Sequence, residues 1–426
     1  MTLDLLRFTT AGSVDDGKST LIGRLLYDSK QVFEDQLEHV ALASERRGGE
    51  GTLDLALLTD GLRAEREQGI TIDVAYRYFA TTRRRFIIAD CPGHRQYTRN
   101  MVTGASTADV AVVLIDARRG VLEQSKRHAF ISSLLRIPHM VVAVNKMDLV
   151  DYSQARFQEI VDDFAGFAEK LAGPGAPGPD ITYIPMSALE GDNVVERSTR
   201  MPWYEGPMLL EHLEQVEVAY DHPDEKPARF PVQWVIRPAG PAETEDYRGY
   251  AGQLASGALR RGQEVLVLPG GGRTRIAAID TFDGELEEAM APMSLTLRLE
   301  DELDVSRGEL ICHPDRPPAV GRELAADVCW MTDEPLRVGS RYLVKHTSRN
   351  ATAIVEAIED VLDVHTLERG EAGTELALND IGRVRLRTSS PLAFDPYTAN
   401  RRTGSFILID ESSNRTVGAG MIAPER

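Results

Sequence analysis

Eight residues near the amino terminus, Gly12 to Ser19, have the spacing of a phosphate-binding loop. They read Gly-Ser-Val-Asp-Asp-Gly-Lys-Ser, that is, a glycine, four residues and then Gly-Lys-Ser. The glycines allow successive backbone N–H groups to point at an anion, and a following helix adds the positive end of its dipole. Lys18 can reach the outer phosphates, and the Ser19 hydroxyl can ligate a bridging Mg²⁺. The residues predicted to bind phosphate are Gly12, Ser13, Val14, Asp15, Asp16, Gly17, Lys18, Ser19 and Thr20.

The segments on either side of this loop have the apolar patterns of a strand and a helix. A short apolar strand before the loop contains Leu3, Leu5, Leu6 and Phe8, and residues 20–26 have the composition of a helix after it. A strand, a glycine-rich loop and a helix are the order in which a phosphate loop is built. The local pattern therefore predicts an α/β domain around the loop.

A second set of candidate residues follows the apolar strand at residues 86–89. Asp90, Cys91, Pro92, Gly93 and His94 come at its carboxyl end, where open parallel sheets bind ligands. Asp90 is suited to hold Mg²⁺ through a water, and Gly93 can offer its N–H to a γ-phosphate. A lone histidine is more often structural, but the position of His94 after Asp-Cys-Pro-Gly favours a role in orienting the attacking water.

Thr71 is a candidate switch residue upstream of this strand, because it follows a flexible glycine between a predicted helix and a predicted strand. Its hydroxyl can ligate Mg²⁺, and its loop can become ordered only when the γ-phosphate is present. The predicted catalytic residues are therefore Lys18, Thr71 and His94. The predicted metal ligands are Ser19, Thr71 and Asp90.

Two further motifs indicate which base is bound. The strand at residues 140–144 ends in Asn-Lys-Met-Asp, whose last carboxylate can accept from both the N1–H and the 2-amino group of guanine. Adenine has no such donor pair on that edge. The strand at residues 181–186 precedes Ser-Ala-Leu, whose backbone can contact the guanine O6. The residues predicted to bind the base are Asn145, Lys146, Met147, Asp148, Ser187, Ala188 and Leu189, and the predicted ligands are GTP and Mg²⁺.

Composition sets limits on the class of protein. The chain has 426 residues, 42% of them hydrophobic, and a net charge of −18. That charge disfavours a nucleic-acid partner, and the basic run at residues 83–85 is short enough to be a solvated turn. Neither an apolar run of the ~18 residues that cross a bilayer nor a signal peptide is evident, which predicts a cytoplasmic protein. The three cysteines, Cys91, Cys312 and Cys329, lack metal-ligand spacing and are predicted to be buried thiols.

The periodicity changes after the nucleotide-binding motifs. Alternating apolar strands and helices continue to about residue 215, whereas short strands separated by glycines follow from Phe230 onward. We expect an α/β nucleotide domain with a mostly parallel sheet and flanking helices, followed by two small antiparallel β-barrels. The predicted division is 1–215 for the nucleotide domain, 216–228 for a linker, 229–313 for the first barrel and 320–426 for the second.

Taken together and in this order, the motifs resemble those of the elongation factor Tu class of translation-factor GTPases. Asp-Cys-Pro-Gly-His at 90–94 and Arg-Glu-x-Gly-Ile-Thr at 66–71 carry this resemblance. Asp15-Asp16 stands where elongation factors usually show Asp-His, and the chain is more similar to the GTPase subunits of bacterial ATP sulfurylase. The segments that carry this closer resemblance are 55–62, 73–79, 247–252, 281–284 and 413–421.

The resemblance implies that the chain hydrolyses GTP while a smaller, PP-loop-type catalytic subunit joins sulfate to ATP. The products of that subunit would be adenosine 5′-phosphosulfate and pyrophosphate, and the two chains would form a heterodimer or a higher assembly. An adenosine-phosphosulfate kinase domain follows in some relatives, and we expect none before residue 426. The loop at Gly173 to Pro179 and the acidic segment at Glu243 to Asp246 are expected to be peculiar to this chain.

Two other functions remain open at this point. A translation factor that binds aminoacyl-tRNA would use the same GTPase core, and a GTP-binding scaffold would bind the nucleotide without turnover. Binding of tRNA with a steep salt dependence would favour the former. Stimulation of GTP hydrolysis by the sulfurylase subunit, ATP and sulfate would favour the ATP sulfurylase assembly.

Overall fold

The computed structural model of the chain describes residues 4–30, 55–58, 74–92, 98–171, 178–217, 226–237, 247–363, 366 and 368–424. The chain divides into two compact units, Met1–Val218 and Ala219–Arg426. Several predictions concern residues outside the described ones, namely Thr71, Gly93, His94, the acidic segment at 243–246 and most of the loop at 173–179. The four-part division of the chain remains a prediction.

The amino-terminal unit contains six strands and five α-helices among its described residues. The strands are β1 (Asp4–Ala11), β2 (Ala75–Ala80), β3 (Arg84–Asp90), β4 (Val110–Asp116), β5 (His139–Asn145) and β6 (Asp180–Pro185). The helices are α1 (Lys18–Asp28), α2 (Thr98–Ala105), α3 (Glu123–Leu134), α4 (Gln154–Ala168) and α5 (Leu209–Gln215). Short 3₁₀ turns occupy Leu55–Leu58, Met147–Val150 and Glu169–Leu171.

The six strands form one sheet in the order β2-β3-β1-β4-β5-β6. All neighbours from β3 to β6 are parallel, and the edge strand β2 is antiparallel to β3. Every residue of β4 is buried, as expected of a strand covered on both faces. The parallel strands bring the residues after β1, β3, β5 and β6 to one edge of the sheet, which is where the predicted motifs begin.

The basic run at residues 83–85 is not a solvated turn throughout, and the prediction is wrong for Arg84. This residue begins β3 and is only 8% exposed. Its guanidinium donates to the Leu213 and Val216 carbonyl oxygens, at 3.1 and 2.6 Å, and forms an ion pair with Asp4 at 2.6 Å. The arginine is buried because these unpaired carbonyls at the carboxyl end of α5 need donors.

The carboxyl-terminal unit contains two β-barrels. The first is built from β7 (Arg229–Ile236), β8 (Gly249–Gln253), β9 (Ala258–Arg260), β10 (Glu264–Leu268), β11 (Gly272–Thr281), β12 (Gly284–Leu286), β13 (Glu288–Met290), β14 (Ser294–Leu299) and β15 (Leu310–Cys312). Its main sheet has the order β10-β15-β7-β8-β14-β11-β12, and pairing of β10 with β11 closes it. Its core includes Phe230, Tyr250, Ile276 and Leu297.

The second barrel follows along the chain. Its strands are β16 (Ala319–Trp330), β17 (Leu336–Arg337), β18 (Arg341–His346), β19 (Arg349–Leu362), β20 (Glu375–Leu376), β21 (Ile381–Phe394), β22 (Ser405–Ile409) and β23 (Thr416–Ile422). Six of them close in the order β16-β21-β19-β18-β22-β23. The core of this barrel includes Trp330, Val344, Leu386 and Phe406.

A buried ion pair joins the two barrels. The Arg229 guanidinium of β7 donates to both carboxylate oxygens of Asp395, at 2.9 and 2.8 Å, and both side chains are less than a tenth exposed. The Thr403 hydroxyl donates to the same carboxylate. A bidentate pair fixes orientation as well as distance, so it defines how the barrels meet.

Two expectations from composition can be compared with the described residues. The three cysteines are free and buried, as predicted. None of the helices among the described residues is both long enough and apolar enough to cross a membrane.

Candidate functional site

The phosphate loop connects the end of β1 with the start of α1, and its two glycines are required by the backbone. Gly12 has a φ of 148° and Gly17 a φ of 94°. A Cβ atom at Gly12 would lie 2.9 Å from the Leu114 carbonyl oxygen. One at Gly17 would lie 2.4 Å from Nδ2 of Asn145. Glycine is therefore needed at both positions for conformation and for close approach of the neighbouring strands.

The side chain of Lys18 folds back onto the backbone of this loop. Its Nζ donates to the Gly12 and Ser13 carbonyl oxygens, at 3.0 and 2.9 Å, and the side chain is buried. Burial lowers the pKa of the ammonium group, while the carboxylates of Asp90 and Asp16 act in the opposite direction. A buried cation held by carbonyl oxygens is placed to attract an anion to the loop.

Two polar atoms inside the loop have no partner among the described residues. They are the Ser13 hydroxyl and Oδ1 of Asp16, both buried. The other carboxylate oxygen of Asp16 accepts from the Ser13 N–H at 2.6 Å. Burial raises the pKa of Asp16, against the lowering effect of that N–H. Buried polar atoms without partners are uncommon in proteins. The Ser13 hydroxyl can donate to a phosphate oxygen, whereas Oδ1 of Asp16 needs a donor or a cation.

A histidine that the sequence analysis did not single out is hydrogen-bonded to the backbone of the phosphate loop. His128 of α3 accepts a hydrogen bond at Nδ1 from the Gly12 N–H, at 3.0 Å. Burial, together with the positive charges of Lys18 and Arg127, lowers the pKa of His128 to about 3. The imidazole is therefore neutral at ordinary pH, and its Nδ1 is an acceptor.

Asp90 ends β3 beside the phosphate loop. Thr10 is paired with it in register, and the Thr10 hydroxyl donates to its Oδ1 at 3.0 Å. Cys91 follows with its Sγ 3.1 Å from the Thr9 hydroxyl oxygen, and burial raises the pKa of the thiol to about 12. The Asp90 carboxylate is thus oriented by β1, and the buried Cys91 thiol stays protonated at ordinary pH.

The metal ligands predicted from the sequence fit Mg²⁺ as far as the structure describes them. Ser19 lies in the first turn of α1, and Asp90 lies at the end of the adjacent strand. Hydroxyl and carboxylate oxygens are the ligands that Mg²⁺ favours. Thr71, Gly93 and His94 lie outside the described residues, so their roles stay predictions.

Asn145 and Lys146 connect the predicted base site to the phosphate loop. The Asn145 Nδ2 donates to the Asp16 carbonyl oxygen at 2.8 Å, and its Oδ1 accepts from the Ala188 N–H at 2.9 Å. The Lys146 Nζ donates to the Asp15 carbonyl oxygen. Two consecutive residues at the end of β5 therefore hold two consecutive carbonyls of the phosphate loop.

Asp116, at the end of β4, was also missed by the sequence analysis. Its buried carboxylate lies 3.0 Å from Nζ of Lys146 and accepts from Nε and Nη2 of Arg118, at 3.1 and 2.6 Å. Burial alone raises the pKa of Asp116, but the hydrogen bonds from Arg118 and Lys146 outweigh it and leave the pKa well below its ordinary value. Asp116 is thus a fixed negative charge that holds Lys146 in place. The sequence does contain a sign of this role, because Asp116 is a carboxylate at the end of a fully apolar strand.

Asp148 and the Ser-Ala-Leu loop after β6 are brought together. The Ser187 hydroxyl donates to Oδ1 of Asp148 at 2.6 Å and accepts from the Glu190 N–H at 3.2 Å. The Asp148 carboxylate is therefore oriented before any base arrives. Preorganised acceptors cost less to order when a ligand binds.

The remaining predicted residues lie in the same region. Val14 and Asp15 form the turn of the phosphate loop, Thr20 lies in the first turn of α1, Met147 begins a 3₁₀ turn and is buried, and Pro92 is buried after β3. Residues of the phosphate loop, the end of β5 and the loop after β6 thus form one connected group.

Comparison with known families agrees with the predicted class. The elongation factor Tu GTP binding domain matches residues 3–221, and the GTP-eEF1A C-terminal domain-like family matches residues 323–423. The predicted fold, an α/β GTPase domain followed by two antiparallel barrels, is confirmed. GTP and Mg²⁺ are likewise confirmed as the ligands of this class of domain.

Comparison with curated relatives identifies the family within this class of GTPases. The bifunctional enzyme CysN/CysC of Mycobacterium tuberculosis is 58% identical over 98% of this chain and 67% of its own length. Sulfate adenylyltransferase subunit 1 of Bacteroides fragilis is 53% identical over 98% of this chain and 86% of its own length, and that of Citrobacter koseri is 54% identical over the same shares. The chain belongs to the sulfate adenylyltransferase subunit 1 family of GTPases, as its resemblance predicted.

Proposed function

We propose that this chain hydrolyses GTP and couples that hydrolysis to the synthesis of adenosine 5′-phosphosulfate on a smaller catalytic subunit. The catalytic subunit, of the PP-loop type, would join sulfate to ATP and release pyrophosphate. Formation of this mixed anhydride is strongly uphill, so hydrolysis of GTP to GDP and phosphate would provide the driving force. The relatives named subunit 1 support a partner subunit.

One observation supports the GTPase part of the proposal most directly. The side chains of Asn145 and Lys146 bind the Asp16 and Asp15 carbonyls, so that the base site and the phosphate loop form one unit. In such a site, the pocket for the guanine ring and the loop for its phosphates lie at a fixed distance from each other. Preorganisation of this kind favours binding because little has to be ordered when the ligand arrives.

The residues of the chain have separate proposed roles. Lys18 and the loop N–H groups would hold the outer phosphates, and Asp148 would accept from the N1–H and 2-amino groups of guanine. Ser19, Asp90 and Thr71 would hold Mg²⁺, which neutralises charge on the β- and γ-phosphates when bound. His94 would orient the attacking water.

Coupling requires that the partner senses the γ-phosphate. Thr71 and residues 90–94 are the proposed gate, because their contacts would depend on that phosphate. Asp90 is fixed to β1 through the Thr10 hydroxyl, so it provides a rigid end to the gate. Each nucleotide cycle would then proceed only when the other has reached the matching state.

The test is a reconstitution with a PP-loop-type sulfurylase subunit, in which phosphosulfate and GDP are measured together. We expect phosphosulfate formation to depend on GTP, and GTP hydrolysis to rise when ATP and sulfate are present. Lys18→Ala should abolish both activities, whereas Lys170→Ala, at an exposed position of the same unit, should leave both unchanged.

Phosphosulfate synthesis that proceeds equally well without GTP would contradict the coupling. The alternative of a translation factor predicts binding of aminoacyl-tRNA with a steep salt dependence. No contact among the described residues favours it, and the subunit 1 relatives cover 98% of the chain.

A further inference from the structure

Arg24 lies in α1 and contacts the loop after β6. Its Nε donates to the Ala188 carbonyl oxygen at 3.2 Å, and its Nη2 donates to the Leu189 carbonyl oxygen. The guanidinium is also 3.5 Å from Asp28, one turn further along α1, and the side chain is only 18% exposed. Arg24 thus holds two consecutive carbonyls of the predicted base loop.

The direction of these carbonyls fixes the direction of the N–H groups that follow them. In a trans peptide the C=O of one residue and the N–H of the next point to opposite sides. The Glu190 N–H, opposite to the Leu189 carbonyl, meets the Ser187 hydroxyl, which in turn donates to Asp148. The side away from Arg24 is therefore the side of the base-recognising carboxylate.

By the same rule, the Leu189 N–H points to the side away from Arg24. The Ala188 carbonyl faces Arg24, so the N–H of the same peptide faces away from α1. The Ala188 N–H is already bound to Oδ1 of Asn145. Of the three N–H groups from Ala188 to Glu190, only that of Leu189 has no hydrogen-bond partner among the described residues.

We propose that Arg24 is a positioning residue that sets recognition of the purine 6-position, by directing the Leu189 N–H at the guanine O6. This inference rests on the proposed GTP site and adds the residue that orients its O6 donor. Asp148 reads the N1–H and the 2-amino group, and Arg24 acts on a different atom of the base. The two contributions are therefore separable by nucleotide analogues.

The experiment measures the dissociation constants of GDP, IDP and 6-thio-GDP by calorimetry. IDP lacks the 2-amino group but keeps O6, and 6-thio-GDP replaces O6 by sulfur, a weak acceptor. We expect Arg24→Met to weaken GDP and IDP about tenfold each, which corresponds to ~1.4 kcal/mol. Binding of 6-thio-GDP should change by less than about twofold, because it gains little from the N–H in the wild-type protein.

Arg197→Met is the matched control. Arg197 also donates to two backbone carbonyls of the same unit, those of Tyr204 and Gly206, at 3.2 and 3.0 Å, but it contacts neither the phosphate loop nor residues 187–189. We expect its nucleotide affinities to match those of the wild-type protein. Arg24→Lys keeps one charged donor and should recover part of the preference for oxygen over sulfur.

An equal loss for all three nucleotides would overturn the proposal, because it would show a merely structural role for Arg24. Unchanged affinities would overturn it as well. If Arg24→Met does not fold, ¹⁵N-leucine labelling of the wild-type protein decides. The Leu189 amide resonance should shift downfield with GDP and far less with 6-thio-GDP, and equal shifts would refute the contact. Failure of the wild-type protein to prefer GDP over ADP would instead refute the GTP site itself.

Discussion

Replacement of Gly17 by alanine tests how strictly the phosphate loop and the base site are linked. The added Cβ would lie 2.4 Å from Nδ2 of Asn145, about 1 Å closer than an ordinary contact allows. The Asn145 amide must therefore move, and it would lose its hydrogen bonds to the Asp16 carbonyl and the Ala188 N–H. These two bonds are the connection between the phosphates and the base.

The magnitude follows from two separate contributions. The two lost hydrogen bonds hold the base site and the phosphate loop in place before the ligand arrives, at ~1 kcal/mol each; GDP must then bind a site that is no longer ordered, so its affinity should fall roughly 30-fold. The left-handed backbone conformation, with a φ of 94°, adds ~1–2 kcal/mol of strain for a residue with a Cβ. That strain lowers the free energy of unfolding but is not itself a loss of ligand contacts.

Gly339→Ala separates these contributions. Gly339 has a similar φ of 87°, and a Cβ there would meet no atom within 4 Å. We expect the control to lose stability by the same ~1–2 kcal/mol of strain and to keep its GDP affinity. Calorimetric titration with GDP and urea unfolding measure the two quantities. A Gly17→Ala protein whose GDP affinity stays within threefold of the wild type would refute the reasoning.

Other substitutions address single parts of the site. Asp148→Asn should move the preference from GTP to XTP, and retained guanine preference in competition binding would exclude the assigned contact. His94→Ala should slow single-turnover hydrolysis but leave GTP affinity nearly intact, whereas an equal loss of affinity would indicate a structural role. Asp116→Asn releases Lys146 and should weaken GDP and GTP alike by roughly tenfold, the loss of one charged hydrogen bond; calorimetry with both nucleotides checks this. The pKa of His128 is about 3 in the folded protein against an ordinary 6.5, so the unfolded chain binds more protons between these pH values. Stability should therefore fall with pH below 6.5, by up to ~1.4 kcal/mol per unit, and His128→Gln should reduce that slope in urea unfolding at pH 7 and 5.

The sequence predicted those parts of the site that depend on local patterns. The phosphate loop, the strand before it and the helix after it lie within 25 consecutive residues, Asp4 to Asp28. Apolar runs likewise located β3, β4, β5 and β6, most clearly β4 and β5, whose residues are almost all buried. The motif after each strand could then be assigned to one edge of the sheet.

The contacts that the sequence did not predict join distant segments. His128 reaches Gly12 across 116 positions, and Arg24 reaches Ala188 across 164. No periodicity encodes such a pair, since it depends on which strands become neighbours in the sheet. The burial of Arg84 was missed for the same reason, because its partners lie in a helix about 130 positions away.

The ion pair between Arg229 and Asp395 limits how the chain can be divided for laboratory use. A fragment that stops after Cys312 would keep the arginine and lose the aspartate, so the guanidinium would lack the carboxylate that binds it through both oxygens. Such a fragment would also expose Leu268 and Leu310, which cover Ala393 in the intact protein. Chimeras with relatives should therefore exchange residues 229–424 as a single block.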